Sequence, residues 1–393
     1  MKAIKHVLKT ILITISCICA VSLLSACSND KAKERSKHII SSKEPVAIAI
    51  TWPKRGRLEN LYRGATLAAE QVNTKGGVLK RKLKLLEHPG KESVTKSLLD
   101  AKEITKNKNV LAVIGHYHPY LSIPTSTLFQ FHGIIMIDPA TSNKALTNRG
   151  YDLVFRLIPN NDKFGFAAAR YAKAKGYKKI IIYYVKNDFG RELANAFEKN
   201  AFAEGLDIVD RLSYEDGQRD FSNTLEDWKL LHKFDAVFVA GDPTETALII
   251  QQARKLKLMT PFIGSHRLDS DEFIKLAGKE AEGTVFISTY HPDEPNQQTK
   301  DFVKGYKARF GKMPDTWAAL GYDAVNLLVK AIEASKSIDA KKIANTLKKL
   351  KNIPGVAGPY QFNQQGDLVK PKLILKVIKD GKSQRVLSKR IKK

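Results

Sequence analysis

The sequence predicts an α/β fold of two doubly wound parallel-sheet lobes, on three observations. Short β-branched apolar runs recur along the chain: "LAVIG" from Leu111, "IIMID" from Ile134, "KIIIYYV" from Lys179, "AVFVAG" from Ala236 and "GTVFIS" from Gly283. Continuous runs of this kind suit strands buried on both faces of a parallel sheet. Amphipathic helical stretches separate them, among them "ENLYRGATLAAEQVN", "FGRELANAFEKNAFAEG" and "TETALIIQQARKLKL". Such alternation is the pattern of doubly wound architecture. Thirdly, a body of about 350 residues exceeds one ordinary domain, so two lobes are the natural division.

Taken in order, the chain opens with an export signature. Lys2, Lys5 and Lys9 precede an apolar run, Ile11 to Leu24, which falls short of the roughly 20 residues of a membrane-spanning helix. The layout is that of a cleaved signal over residues 1–26. It ends in "LSAC", Leu24 to Cys27, which resembles the lipobox of bacterial lipoproteins. That resemblance implies lipid attachment at Cys27. Cys17 and Cys19 fall inside the signal, so the mature chain has no thiol pair from which to build a disulfide framework. Residues 27–44 are polar and charged, without apolar periodicity, and read as a lipid-anchored tether. Fully extended, that tether would reach about 60 Å. The folded body begins at "VAIAIT", Val46 to Thr51.

The formal charge is +26, of which the signal carries three lysines and no acid. In an exported protein nucleic acid is an improbable target. Clusters such as "KRKLK" (Lys80–Lys84) and "SKRIKK" (Ser388–Lys393) are scattered rather than focused. They read as a solvated basic surface beside anionic envelope polymers or lipid.

In open parallel sheets, ligands bind beyond the carboxyl ends of strands. That rule selects Trp52, the stretch His116 to Tyr120, Asp138 to Ser142, Asp188 and Phe189, Asp242, and Ser265 with His266. No G-x-S-x-G elbow, H-E-x-x-H helix or Gly-rich dinucleotide turn is present. "GYKARFGKM" has one residue too many between its glycines, and Met in place of Ser/Thr, for a phosphate loop. No catalytic residue, metal site or cofactor is therefore assigned. The two histidines of "VIGHYHPYLSIP", His116 and His118, lack a specific metal-ligand spacing.

Six segments in order resemble one known family. They are "YRGATLAAEQVNTKGGVL", "VIGHYHPYLSIPTS", "GIIMIDPATSNKALTNRGY", "NDFGRELANAF", "ALGYDAVNLLVKAI" and "GPYQFNQQGDL". Together they are similar to periplasmic solute-binding proteins of the Leu/Ile/Val type, with the type I periplasmic-binding fold, from about Val46 to about Lys382. The resemblance implies two lobes joined by three crossings with a ligand cleft between them. One lobe would hold residues 45–160 plus 290–357, the other 161–289 plus 358–382, and a basic tail would fill 383–393. The cleft would close on a small solute, and the closed form would dock on an ABC permease.

Residue by residue, the resemblance makes His116 a framework position and puts His118 beside the ligand-binding serine. That serine is here Pro119, with Tyr120 next to it as a substitute. Ala140 falls where the family uses a backbone carbonyl, and Ser142 replaces a threonine that bonds the amino-acid head group. Phe189 keeps an aromatic that packs on the ligand, and Asp242 stands in place of another. His266 replaces the glutamate that holds the α-ammonium, and Trp52 sits at the cleft edge. A buried ammonium without a carboxylate partner is strongly disfavoured. Either Asp242 or Asp269 supplies the charge, or the ligand is not an ordinary α-amino acid and an anionic or neutral solute enters instead. Two positions have a plainer reading as well. Asp242 begins "DPTE", a helix N-cap pattern, and Ser142 would cap a helix starting at Asn143.

The implied function is a membrane-tethered solute-binding lipoprotein of an ABC import system in the cell envelope, taking an amino acid or small carboxylate. The alternative is an envelope lipoprotein that uses the same fold to bind and regulate a membrane or cell-wall enzyme.

Overall fold

The computed structural model describes residues 30–386 apart from residue 91; the signal, Cys27 and residues 387–393 lie outside the described residues. The first sheet comprises β1 (Val46–Trp52), β2 (Leu83–Pro89), β3 (Val110–Gly115), β4 (Ile135–Asp138) and β5 (Val154–Arg156). All are parallel, in the order β2-β1-β3-β4-β5. β1 and β3 are buried along their whole length, as the unbroken apolar runs require. Helices α2 (Asn60–Thr74), α3 (Val94–Lys106) and α4 (Pro119–Phe131) connect these strands.

The second sheet is built from β6 (Lys179–Val185), β7 (Asp207–Tyr214), β8 (Ala236–Ala240), β9 (Phe262–Gly264) and β10 (Val285–Ser288). Helices α5 (Asn161–Ala174), α6 (Asp188–Ala203), α7 (Ser222–Leu231), α8 (Pro243–Lys255) and α9 (Asp271–Ala277) belong to this lobe. The chain then returns to the first lobe as α10 (Gln297–Phe310), α11 (Thr316–Ser335) and α12 (Ala340–Lys349). α11 lies directly on α2 because two glycines let the backbones touch. A Cβ on Gly64 would sit 1.9 Å from the Ala318 carbonyl oxygen, and one on Gly321 2.2 Å from that of Leu61. A short hairpin, β11 (Ile353–Pro354) and β12 (Pro359–Tyr360), precedes the final strands β13 (Ile374–Lys379) and β14 (Lys382–Arg385). These join the second sheet antiparallel, giving the order β14-β13-β10-β9-β8-β6-β7. The lobes are thus joined at 157–160, 289–296 and 370–373.

Three boundaries differ from the sequence reading. The expected tether is largely a helix, α1, over 30–41. Arg35 is buried and donates to the carbonyls of Asn107 (2.7 Å), Val110 (3.0 Å), His132 (2.8 Å) and Thr105. Ile39, one turn on, is also buried, and Arg81 donates to its carbonyl at 2.6 Å. One inward arginine and one isoleucine make too thin a stripe to register as apolar periodicity. The second boundary, expected at 358, falls near 370, because the intervening segment stays with the first lobe. Phe362 meets Phe155 edge-on at 5.2 Å, the Gly366 carbonyl accepts from Arg156 N at 3.0 Å, and Asp367 pairs with Arg156 at 2.8 Å. Asp367 also accepts from Asn160 Nδ2 at 2.9 Å. Thirdly, the expected basic tail begins as strand β14, and Arg385 is drawn to Glu294 at 2.9 Å, which Lys372 also meets at 3.1 Å.

Candidate functional site

A cavity of about 1110 Å³ lies between the lobes, lined from loops after β1, β3, β7 and β8 and by α9. One wall is aromatic. Gly115 ends β3, and the chain then presents Tyr117 and His118 before entering α4 at Pro119. The His118 ring stacks on Tyr120 at 4.9 Å and meets the edge of Tyr117 at 4.6 Å. Burial, reinforced by the charge of Arg267, lowers the His118 pKa to about 3, so the ring is neutral at pH 7. Tyr117 is braced from behind by Trp52 (5.3 Å) and Trp317 (5.5 Å). Trp52 is fully buried and donates Nε1–H to the Leu58 carbonyl at 2.9 Å. It packs under the site rather than edging it.

The opposite wall is acidic. Asp216, Asp242, Glu245, Asp271 and Glu272 line it from the second lobe, and Glu92 and Asp315 join from the first. The cations on the lining are Arg55, Lys275 and Lys312. Glu92 is already paired with Arg55 at 2.5 Å. Burial, with Asp242 and Asp216 nearby, raises the Glu245 pKa.

Arg267 lies between the walls. It follows β9 on a short 3₁₀ turn, His266–Leu268, and is 2% exposed. Its Nη1 donates to both Asp242 oxygens, at 2.8 and 3.0 Å. Its guanidinium carbon lies 3.6 Å from the Phe189 ring centroid and 5.1 Å from that of Tyr117. Burial opposes the charge, yet Asp242 and the neighbouring tyrosines hold the guanidinium pKa above its ordinary value. The face of Phe189 expected to meet a ligand is covered by this arginine. Asp242 does occupy the N-cap position of α8, with Pro243 following it, but its side chain caps nothing. The carboxylate is spent on Arg267.

The loop bearing Ala140 and Ser142 is buried and tightly held. Asp138 Oδ1 accepts from Ala140 N (2.9 Å) and Thr141 N (2.6 Å). Arg156 donates to the carbonyls of Thr141 (3.3 Å) and Asn143 (2.6 Å) and to Thr147 Oγ1 (2.9 Å). The Ser142 hydroxyl is buried with no protein partner, while its carbonyl accepts from Asn161 N, the first residue of α5, at 2.9 Å. The expected cap of the following turn is Asn143, not Ser142, because the Asn143 side chain accepts from Ala145 N at 2.8 Å.

His266 is half-buried with both ring nitrogens cut off from solvent, stacked on Phe164 at 4.2 Å and edge-on to Phe189 at 5.6 Å. Burial and then Arg267 lower its pKa to about 3. It faces a small void of about 20 Å³ shared with Asp269 and Thr316, apart from the main cavity. Asp269 is committed elsewhere, paired with Lys376 at 2.8 Å and accepting from Ser288 and Thr316. His116 is buried framework, its backbone N–H donating to Ser122 Oγ at 3.3 Å.

Of the residues expected at a site, the structure brings His118, Tyr120 and Asp242 to the cavity. Phe189 reaches it through Arg267, Ala140 and Ser142 form a buried loop joined to α5, and Trp52 and His266 serve packing. Sequence reasoning missed Arg267, one residue beyond the pair Ser265 and His266 that it had flagged after β9. It also missed the acidic wall, which comes from separate loops. Among the described residues no three His, Cys, Asp or Glu side chains gather as a metal site.

The family description "periplasmic binding protein" matches residues 45–382. The chain is 29% identical over 312 residues to a Leu/Ile/Val-binding protein homolog of Brucella abortus, covering 79% of this chain and 82% of that one. Among solved structures, it is similar to an ABC transporter substrate-binding protein from Desulfitobacterium hafniense in complex with Leu. The identity is 32% and the TM-score 0.79, over 87% of this chain and all of that one. A leucine-binding protein from Thermotoga maritima matches with 28% identity and a TM-score of 0.80, over 87% of this chain and 97% of that one. With its two parallel-sheet lobes, three crossings and interlobe cavity, the chain belongs to the periplasmic binding protein family, as a member of the Leu/Ile/Val-binding type.

Proposed function

We propose that this chain is the exported solute-binding component of an ABC import system, capturing a small polar solute, an amino acid or small carboxylate, by hinge closure. The observation that carries this reading is a cavity whose two walls belong to different lobes. A solute held there gains its full set of contacts only when the lobes are together, so its binding energy shifts the open–closed balance. The closed form is what a permease in the membrane would recognise. His118, Tyr120 and Asp242 are the proposed wall contacts, with Ser142, Ala140 and Phe189 supporting the deep end. Lipid on Cys27 would keep the protein at the envelope, facing the periplasm or the cell exterior. The relatives named above are solute-binding proteins, in keeping with capture rather than chemistry.

The test is a thermal-shift screen of the purified exported chain against amino acids, carboxylates and aromatic acids. A true ligand at 100 times its dissociation constant adds about 2.7 kcal/mol of stability. A screen without any shift, repeated by calorimetry, overturns the reading.

A further inference from the structure

Resting on that reading, we infer that the solute carries a positive group, an alkylammonium or guanidinium, that enters between the aromatic wall and the acidic wall. Three observations converge on this. The first is charge contrast: the chain as a whole is strongly basic, at +26, yet seven carboxylates and only three cations line the cavity. Counting the buried Arg267 as a fourth cation leaves the acids in excess. A cleft of one sign within a surface of the other focuses the field and concentrates ligands of opposite charge.

The second is the pairing of chemistries. Tyr117, His118 and Tyr120 present rings on one side, and five carboxylates of the second lobe stand on the other. Aromatic faces opposed to carboxylates are what a desolvated organic cation needs, because ring quadrupole and anion both stabilise it. An aliphatic side chain would gain nothing from the carboxylates, and an anion would be repelled. Neutral His118, held far below protonation by its burial, adds a ring without adding a competing charge.

The third is the occupant already present. The Arg267 guanidinium lies on Phe189, near Tyr117, and on both oxygens of Asp242. The protein's own cation, buried just behind the lining, thus displays how Asp242 and Tyr117, which both face the cavity, coordinate a positive group. Asp216 and Glu245, beside Asp242, extend the same wall outward. The sequence-based expectation of an anionic or neutral solute is the reverse of what these side chains favour.

Titration calorimetry at 50 and 300 mM salt would use L-lysine, L-arginine, putrescine, L-leucine and L-glutamate as probes. Binding of lysine or arginine, at least tenfold tighter than leucine and weakening several-fold at the higher salt, supports the inference. Putrescine binding as tightly as lysine also supports it, and assigns recognition to the ammonium rather than to an α-carboxylate. A D216N/E245Q double variant that melts like the wild type should lose at least tenfold in affinity for the cationic probe. Tight leucine or glutamate binding without cation binding overturns the inference while leaving solute capture intact. Cation binding untouched by the double variant also overturns it. If no probe binds, the inference falls, and the thermal-shift screen alone decides whether solute capture stands.

Discussion

Replacing Arg267 with Met tests whether the guanidinium holds the cleft as described. The substitution keeps an unbranched apolar stem and removes the charge. It deletes two charge-assisted hydrogen bonds to Asp242, a class worth about 1.5–3 kcal/mol, and a cation–π contact at 3.6 Å worth up to about 2 kcal/mol when desolvated. Severing a fully buried pair costs about 3–5 kcal/mol. Asp242 keeps 23% of its side-chain surface, so water partly rehydrates it and the loss settles near 3 kcal/mol. At about 2–4 °C per kcal/mol, the melting temperature should fall by roughly 6–12 °C. A double-mutant cycle with D242N, followed by urea unfolding at pH 7, isolates the pair and should return a coupling of about 1.5–2 kcal/mol. If R267M melts within a degree of the wild type and the coupling is below about 0.5 kcal/mol, the guanidinium is not paired with Asp242 and the account of the cleft's acidic wall fails.

Other expectations are narrower. The folded pKa of His266, about 3, lies below the roughly 6.5 of an unfolded histidine. The unfolded chain therefore binds the extra proton first, and the stability from keeping the ring neutral is full above about pH 6.5 and is lost as pH falls toward the folded value. The stability advantage of wild type over H266Q should shrink by about 2 kcal/mol between pH 7 and pH 4.5, and a pH-independent difference in urea melts would contradict this. S142A removes a hydroxyl that has no protein partner, so the empty protein should change by less than about 0.5 kcal/mol. Solute affinity should drop about tenfold if the hydroxyl is a contact, which calorimetry reads directly. R35A strips the hydrogen bonds that dock α1. Hydrogen exchange over 30–41 should accelerate at least tenfold while β1 and β3 stay protected; unchanged exchange would mean the helix docks by other means.

The legible part of the fold was the part set by local pattern. The runs now seen as β3 and β8 are apolar throughout because both sheet faces are covered, and a sequence displays that without help. Arg35 and Arg267 were not legible for the opposite reason. Each is a long polar side chain whose partners lie far away in sequence, and nothing around either distinguishes it from a solvated arginine. The same holds for Asp367, which looks like a turn residue in "NQQGDL" but joins Arg156 across 211 positions. Asp242 shows a subtler failure. The capping pattern placed the helix start correctly, but a stronger competitor, the guanidinium of Arg267, took the carboxylate that a cap would have used. The acidic wall was invisible as a unit because its members sit in loops separated by tens of residues.

Asp367 binds Arg156, at the root of the first crossing, and Asn160, within it, while itself standing just ahead of the third. Two of the three connecting strands are therefore stapled side by side, and Arg156 ties the same staple to the loop of Ala140 and Ser142. Sliding of one strand past the other is blocked there. What remains is rotation about the few bonds beyond the staple, so the second lobe should swing as a door on a fixed jamb, carrying Arg267 and Asp242 with it and pivoting where Asn161 N meets the Ser142 carbonyl.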